Sequence, residues 1–116
     1  MRYGARYLLP LFTRNGLGNA PEDLQRILAI NFLGLVADSD RIPGKILFYG
    51  DGVKMACEGS DVIEGLKGLE RRGSRLILCR TCLEYFGLIE KVRVGTVGKM
   101  TDILAALQEG SHVVSL

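Results

Sequence analysis

The sequence predicts an α/β fold of three layers, α/β/α, built on a mainly parallel sheet of about five strands. Three observations carry that expectation. Strand-like and helix-like segments alternate along the whole chain. The strand candidates are short, unbroken apolar runs, which suit a sheet covered on both faces. The 116 residues contain no internal repeat or low-complexity linker and fit one domain, 1–116, able to hide roughly two-thirds of the surface its unfolded form exposes. Right-handed crossovers would then gather the loops that follow the strands along one sheet edge, where α/β proteins bind their ligands.

The first strand is expected over residues 7–12, although Pro10 cannot donate to a ladder and weakens it or marks a bulge. A flexible loop, Arg14-Asn15-Gly16-Leu17-Gly18-Asn19, follows. Pro21 with Glu22 and Asp23 starts a helix whose acidic residues meet the positive first turn. Leu24, Ile27, Leu28 and Leu35 continue it at helical spacing, and Ile30, Phe32 and Leu33 widen the apolar face until burial on most sides is expected. Lys45-Ile46-Leu47-Phe48-Tyr49 reads as the second strand, leaving through a turn at Gly50-Asp51-Gly52. Asp61 and Glu64 have capping-box spacing ahead of a second helix carrying Val62, Leu66 and Leu69, with Gly65 and Gly68 placed for close packing on the sheet. Residues 75–78 form the third strand and 81–87 a short helix or turn. Val92-Arg93-Val94 is the expected fourth strand, Thr101-Asp102 begins a last helix ending at Gly110, and His112-Val113-Val114 is a terminal strand.

Composition excludes several classes. With 47% hydrophobic and 24% charged residues the chain is neither disordered nor fibrous. No apolar run is long enough to span a bilayer, and residues 7–12 are too short for a secretory signal, so a cytoplasmic location and no membrane partner are expected. The formal charge of +2 is spread evenly, without the basic stripe of a nucleic-acid binder. Arg71, Arg72 and Arg75 are the one local cluster and suit a solvated helix end. Three cysteines, an odd count, argue against a disulfide framework and for free, catalytic or buried thiols.

The chemistry concentrates in Cys79-Arg80-Thr81-Cys82, where an apolar strand gives way to a helix or turn. A free thiol, with pKa about 8.5, is only slightly ionised at neutral pH and needs help to act. If Thr81 caps the segment that begins at Cys82, unpaired backbone N–H groups point at the sulfurs, and Arg80 adds a cation. The bland alternative makes Cys79 a small core residue continuing Leu76-Ile77-Leu78. Cys57 reads as packing. Zinc fits poorly, since beyond the pair only Cys57 and His112 are on offer. A thioredoxin-type role fits the spacing, but Pro10, Pro21 and Pro43 leave no proline before a late strand. Gly16-Leu17-Gly18 stands where a phosphate-cradling loop would, without the third glycine or a Gly-Lys-Ser/Thr motif. Ser60, Ser74, Ser111 and Ser115 lack a triad partner, because His112 lies in an apolar strand. No cofactor is called for.

Several segments together resemble a known family: residues 46–54, Cys57-Glu58-Gly59-Ser60, the block from Cys79 to Leu88, and Val94-Gly95 before Met100. They are similar to the C-terminal domain of YedF-like proteins, a branch of the DsrE/DsrF-like sulfurtransferase superfamily. The resemblance implies a three-layer DsrE-like domain with a cysteine after the third strand that carries sulfur as a persulfide. Cys79 matches that position, and Cys82 matches the extra thiol of the YedF branch. The resemblance also implies sulfur relay, a link to selenium metabolism, and homo-oligomers. YedF-like proteins usually join this domain to a TusA-like sulfur carrier, which this sequence does not contain, so the sulfur donor is expected to be a separate TusA-like chain, with an acceptor of unknown identity. Arg80 stands where the branch usually has glycine.

The expected function is therefore a sulfur carrier or sulfurtransferase-like protein. Cys79 and Cys82 are the candidate catalytic residues, and Arg80, Thr81, Gly16 and Gly18 the candidate substrate-binding ones. The alternatives are a non-catalytic oligomeric module holding a nucleotide or flavin at the strand-end loops, and a dithiol oxidoreductase.

Overall fold

A computed structural model describes residues 8–110 and 112–116. Tyr7, expected to open the first strand, and Ser111 lie outside those residues. The described chain forms strands β1 (Leu8–Phe12), β2 (Lys45–Phe48), β3 (Arg75–Cys79), β4 (Thr96–Gly98) and β5 (His112–Ser115), with helices α1 (Glu22–Asp38), α2 (Ile63–Arg71), α3 (Arg80–Phe86) and α4 (Met100–Glu109) between them. The sheet order is β4-β3-β2-β1-β5 and every neighbouring pair is parallel. The chain thus steps outward from β1 to β4 and returns to β5 on the other side of β1. Right-handed crossovers put α1 and α2 on one face, where they pack together, and send α4 across the other, against β3 and β4.

The core lies where the inner strands are covered. Phe12, Ile46, Leu47, Phe48, Leu78, Leu66, Leu69 and Ile103 are fully buried, and the Phe12 and Phe48 rings stack at 5.5 Å. Pro10 sits inside β1 without a bulge. Phe12, on the same edge of the strand as Pro10, turns its carbonyl toward the β2 side, and the β2 register starts only at Leu11, so the missing donor faces a stretch with no ladder to complete.

Four expectations are corrected. Residues 92–94 are not a strand: Val92 makes an isolated antiparallel bridge to Cys57, the chain turns at Gly95 (φ +86°), and β4 follows at Thr96–Gly98. Asp61 forms no capping box; α2 begins after Val62, and Asp61 instead pairs with Arg26 at 3.7 Å. Gly65 and Gly68 are not close-approach positions, since a Cβ on Gly65 would meet nothing within 4 Å and one on Gly68 only an Arg71 side-chain nitrogen at 3.9 Å. Helix α1 is not buried on most sides: Ala29 and Leu33 are buried, but Leu24, Ile27, Ile30 and Leu35 are exposed, because one chain covers only one side of the helix. Arg72 is more than a solvated end, donating from α2 to the carbonyls of Ala37 and Ser39 at the end of α1. Among the described residues no helix is long and apolar enough to cross a membrane.

The close approach the fold does require is at Gly52, where a Cβ would stand 2.1 Å from the Phe12 carbonyl oxygen. Gly52→Ala should cost about 3 kcal/mol by forcing that backbone contact apart. Gly65→Ala, in an open helical site, should instead stabilise by about 1 kcal/mol. Urea unfolding of the two variants checks the pair, and equal effects would contradict the close contact at Gly52.

Candidate thiol site at the strand ends

The site is built where β2 and β3 end side by side. After Phe48 the chain turns into a short 3-10 helix, Gly50–Ala56, with Gly50 at φ +60°. Two contacts hold its start over the end of β1: the Tyr49 N–H donates to the Phe12 carbonyl at 3.1 Å, and Gly52 lies against that same carbonyl. The Gly50 N–H is thereby aimed at the neighbouring strand end. There Cys79 is both the last residue of β3 and the N-cap of α3, which stops at Gly87 in the left-handed conformation.

Cys82 falls in the first turn of α3, and its Sγ accepts the Gly50 N–H at 3.1 Å. Cys79, three residues before Cys82, is near enough to act on its ionisation. The two sulfurs differ in access, Cys79 being 1% exposed and Cys82 half-buried. Burial pushes the Cys82 thiol up from its ordinary range. The Gly50 hydrogen bond works against that rise, while the Cys79 thiol and the Asp51 carboxylate add to it.

The expected sources of thiolate stabilisation are corrected. Thr81 is not a cap, because α3 starts one residue earlier, with Cys79 at the N-cap and Thr81 exposed inside the first turn. Arg80 does not face the sulfurs; its guanidinium lies 3.3 Å from Glu84 along the exposed side of α3. The donor aimed at Cys82 comes from Gly50, in a segment whose residue types mark a turn and not a partner for the thiols. Its one sequence signal is the glycine-flanked Asp51, with Lys54 three residues on.

Gly16 and Gly18 follow β1, in the loop that leads to α1. The Leu17 N–H between them donates to the Gln25 carbonyl, and Glu22 and Asp23 occupy the start of α1. That leaves neither a free amide at Leu17 nor a helix start that welcomes phosphate. Gly16 instead lines a cleft of about 640 Å³, together with Arg26, Lys54, Cys57, Asp61 and Phe86. Cys57 is 2% exposed on its wall, its thiol donating to the Val53 carbonyl at 3.3 Å and pushed up by burial, with Arg93 opposing. No cluster of three or more metal-ligating side chains occurs among the described residues.

The profile of the DsrE/DsrF-like family matches residues 19–116, most of the chain and all of the thiol site. The chain belongs to the DsrE/DsrF-like family. Solved structures with the same fold include a protein of unknown function, MTH1491, from Methanobacterium thermoautotrophicum (TM-score 0.65, 18% identity, 95% of this chain and 99% of that one). They also include a conserved protein of unknown function, BT1422, from Bacteroides thetaiotaomicron (0.66, 20% identity, 100% of both chains), and the ychN protein from E. coli (0.63, 18% identity, 94% and 99%). At these identities the likeness is one of fold. No curated protein matches the chain. Membership brings the family's general association with sulfur relay.

The raised thiols give stability a pH dependence of definite sign. Above about pH 8.5 the unfolded chain sheds thiol protons that native Cys57 and Cys82 still hold, so their contribution is full below that range and is lost as pH rises toward the native pKa values. The melting temperature of the wild type should therefore fall more steeply between pH 7 and 10 than that of a Cys57→Ala/Cys82→Ala variant; parallel curves would contradict the assignment.

Proposed function

We propose that this chain is a sulfur carrier, similar to the YedF-like branch of its family, in which Cys79 holds persulfide sulfur and Cys82 is the thiol through which the pair meets its partners. The observation that carries this reading is the half-exposed Cys82 sulfur, held by the Gly50 N–H beside Cys79 at the strand ends. The family's association with sulfur relay supports it.

In this reading the Cys82 thiolate attacks the outer sulfur of a donor persulfide. A new S–S bond forms, the donor's S–S bond breaks, and the donor departs as a thiolate that takes up a proton. The Cys79 thiolate then attacks the outer sulfur on Cys82, moving the persulfide inward and regenerating the Cys82 thiolate. An acceptor nucleophile takes the sulfur by the same exchange. In its absence Cys82 attacks the inner sulfur of the Cys79 persulfide, releasing hydrosulfide and leaving a Cys79–Cys82 disulfide for a thiol reductant. The Gly50 N–H can serve a thiolate or persulfide anion without further rearrangement.

The donor in this reading is a separate TusA-like protein and the reaction cytoplasmic, where thiols stay reduced; neither nucleic acid nor membrane takes part. The YedF-like resemblance extends the reading to selenium metabolism. It includes a homo-oligomer joined through α1, whose exposed Leu24, Ile27, Ile30 and Leu35 share a helix with a single charge, Arg26, between Leu24 and Ala37. A second copy meets such a seam without like-charge clashes.

Two measurements test the reading. After incubation with a low-molecular-weight persulfide donor, tryptic peptides of the wild type should carry the mass of one added sulfur on Cys79 or Cys82. Cys79→Ser should abolish its retention, and Cys82→Ser should slow uptake roughly tenfold. An unmodified pair, or uptake confined to Cys57, would overturn the assignment. Light scattering should show an oligomer that Ile27→Lys/Leu35→Lys reduces to a folded monomer; a monomeric wild type would remove the α1 interface.

A further inference from the structure

The cleft beside Cys57 and the thiol pair are joined by one side chain. Lys54, on the 3-10 helix, lines the cleft and lies 4.4 Å from the centroid of the Phe86 ring. Phe86 also lines the cleft, and it sits four residues after Cys82 on the same face of α3. At its other contact the Lys54 ammonium pairs with the Asp51 carboxylate at 2.8 Å. Asp51 follows Gly50, whose N–H holds the Cys82 sulfur. Cleft, cation and carboxylate are thus linked by direct contacts, and the carboxylate belongs to the residue next to the amide that holds the sulfur.

The other charged groups near Cys82 are accounted for. Arg80 and Glu84, on its own helix, pair with each other on the exposed side. Helix α3 also packs on β3, which contributes Cys79, and on the 3-10 turn Ile89–Lys91. There Glu90 is exposed and Lys91 pairs with Glu58. That leaves Asp51, the chain neighbour of the Gly50 amide bonded to the sulfur, as the nearby anion, and Lys54 as the cation bound to that anion.

We propose that Asp51 and Lys54 are positioning residues that set the charge at Cys82, and that Lys54 receives an anionic sulfur donor, the terminus of a persulfide, approaching from the cleft. The donor's identity rests on the sulfur-carrier reading; the charge control does not. Asp51 disfavours the thiolate at rest. Lys54 partly screens that carboxylate and supplies a positive end to the approach path, so an arriving anion meets a cation before it meets Asp51. Cys82 and Lys54 are half-buried while Asp51 is exposed, so solvent and salt screen these neighbours in part.

The test uses alkylation of the full chain and needs no sulfur donor. Trypsin cuts after Arg80, so Cys79 and Cys82 are read in separate peptides. Asp51→Asn should shift the pH profile of Cys82 alkylation by iodoacetamide to lower pH and raise its rate at pH 7.5 roughly threefold. Lys54→Met should move the profile the opposite way, Lys54→Arg should restore it, and 1 M salt should shrink both shifts. Lys54→Met should also lower the rate with anionic iodoacetate relative to neutral iodoacetamide about threefold. Lys67→Met, whose side chain pairs with Glu64, should change neither quantity. Profiles that do not move, or that move in the same direction for Asp51→Asn and Lys54→Met, would reduce the pair to a packing role. An unchanged iodoacetate ratio would remove Lys54 from the approach path. Failure to take up persulfide would overturn the carrier reading and leave these outcomes intact.

Discussion

The contact between Gly52 and the Phe12 carbonyl is the constraint on which the site depends. It brings the chain that leaves β2 back over the end of β1 at a distance no side chain tolerates. With the Tyr49 N–H on the same carbonyl, it fixes where the 3-10 helix begins. From that start the Gly50 amide points across to α3 and meets the Cys82 sulfur. A hydrophobic core alone would bring β2 and β3 together, but it would not aim an N–H at a thiol. Backbone geometry at two glycines does so, and the parallel register carries that precision to the next strand end.

The electrostatics that result are a balance, with burial dominant. Taking the Cys82 sulfur partly out of water disfavours its anion, and Asp51 adds to that effect. One hydrogen bond opposes them. The outcome is a thiol whose pKa lies above its ordinary range. Cys57, buried in the cleft wall and bonded to a carbonyl, has only a donor's role there and lacks an aimed N–H. The two cysteines thus differ in chemistry because both their access and their backbone neighbours differ.

Much of the fold was legible in the sequence. Unbroken apolar runs at Ile46-Leu47-Phe48 and Leu76-Ile77-Leu78 gave strands buried on both faces, and Pro21, Gly87 and Gly110 marked helix boundaries near where they occur. The thiol pair at the end of the third strand was legible for the same reason, since a strand run that stops at a C-x-x-C leaves little choice of location. The fourth strand was not, because Val92 and Val94 have β-forming side chains yet serve a bridge to Cys57 and the buried start of a turn. Periodicity also cannot distinguish a helix buried within its own chain from one with an apolar side left open, which is why α1 looked more enclosed than it is. The partner of Cys82 was invisible for a deeper reason: it is a backbone amide from a segment 32 residues away, and a backbone amide has no residue type.

A crystal structure of the chain after reaction with a persulfide donor tests the central claim most directly. The account predicts an additional sulfur atom bonded to Cys79 or Cys82, with the Gly50 amide still directed at the pair. An unmodified pair together with an added sulfur on Cys57 in the cleft would contradict it.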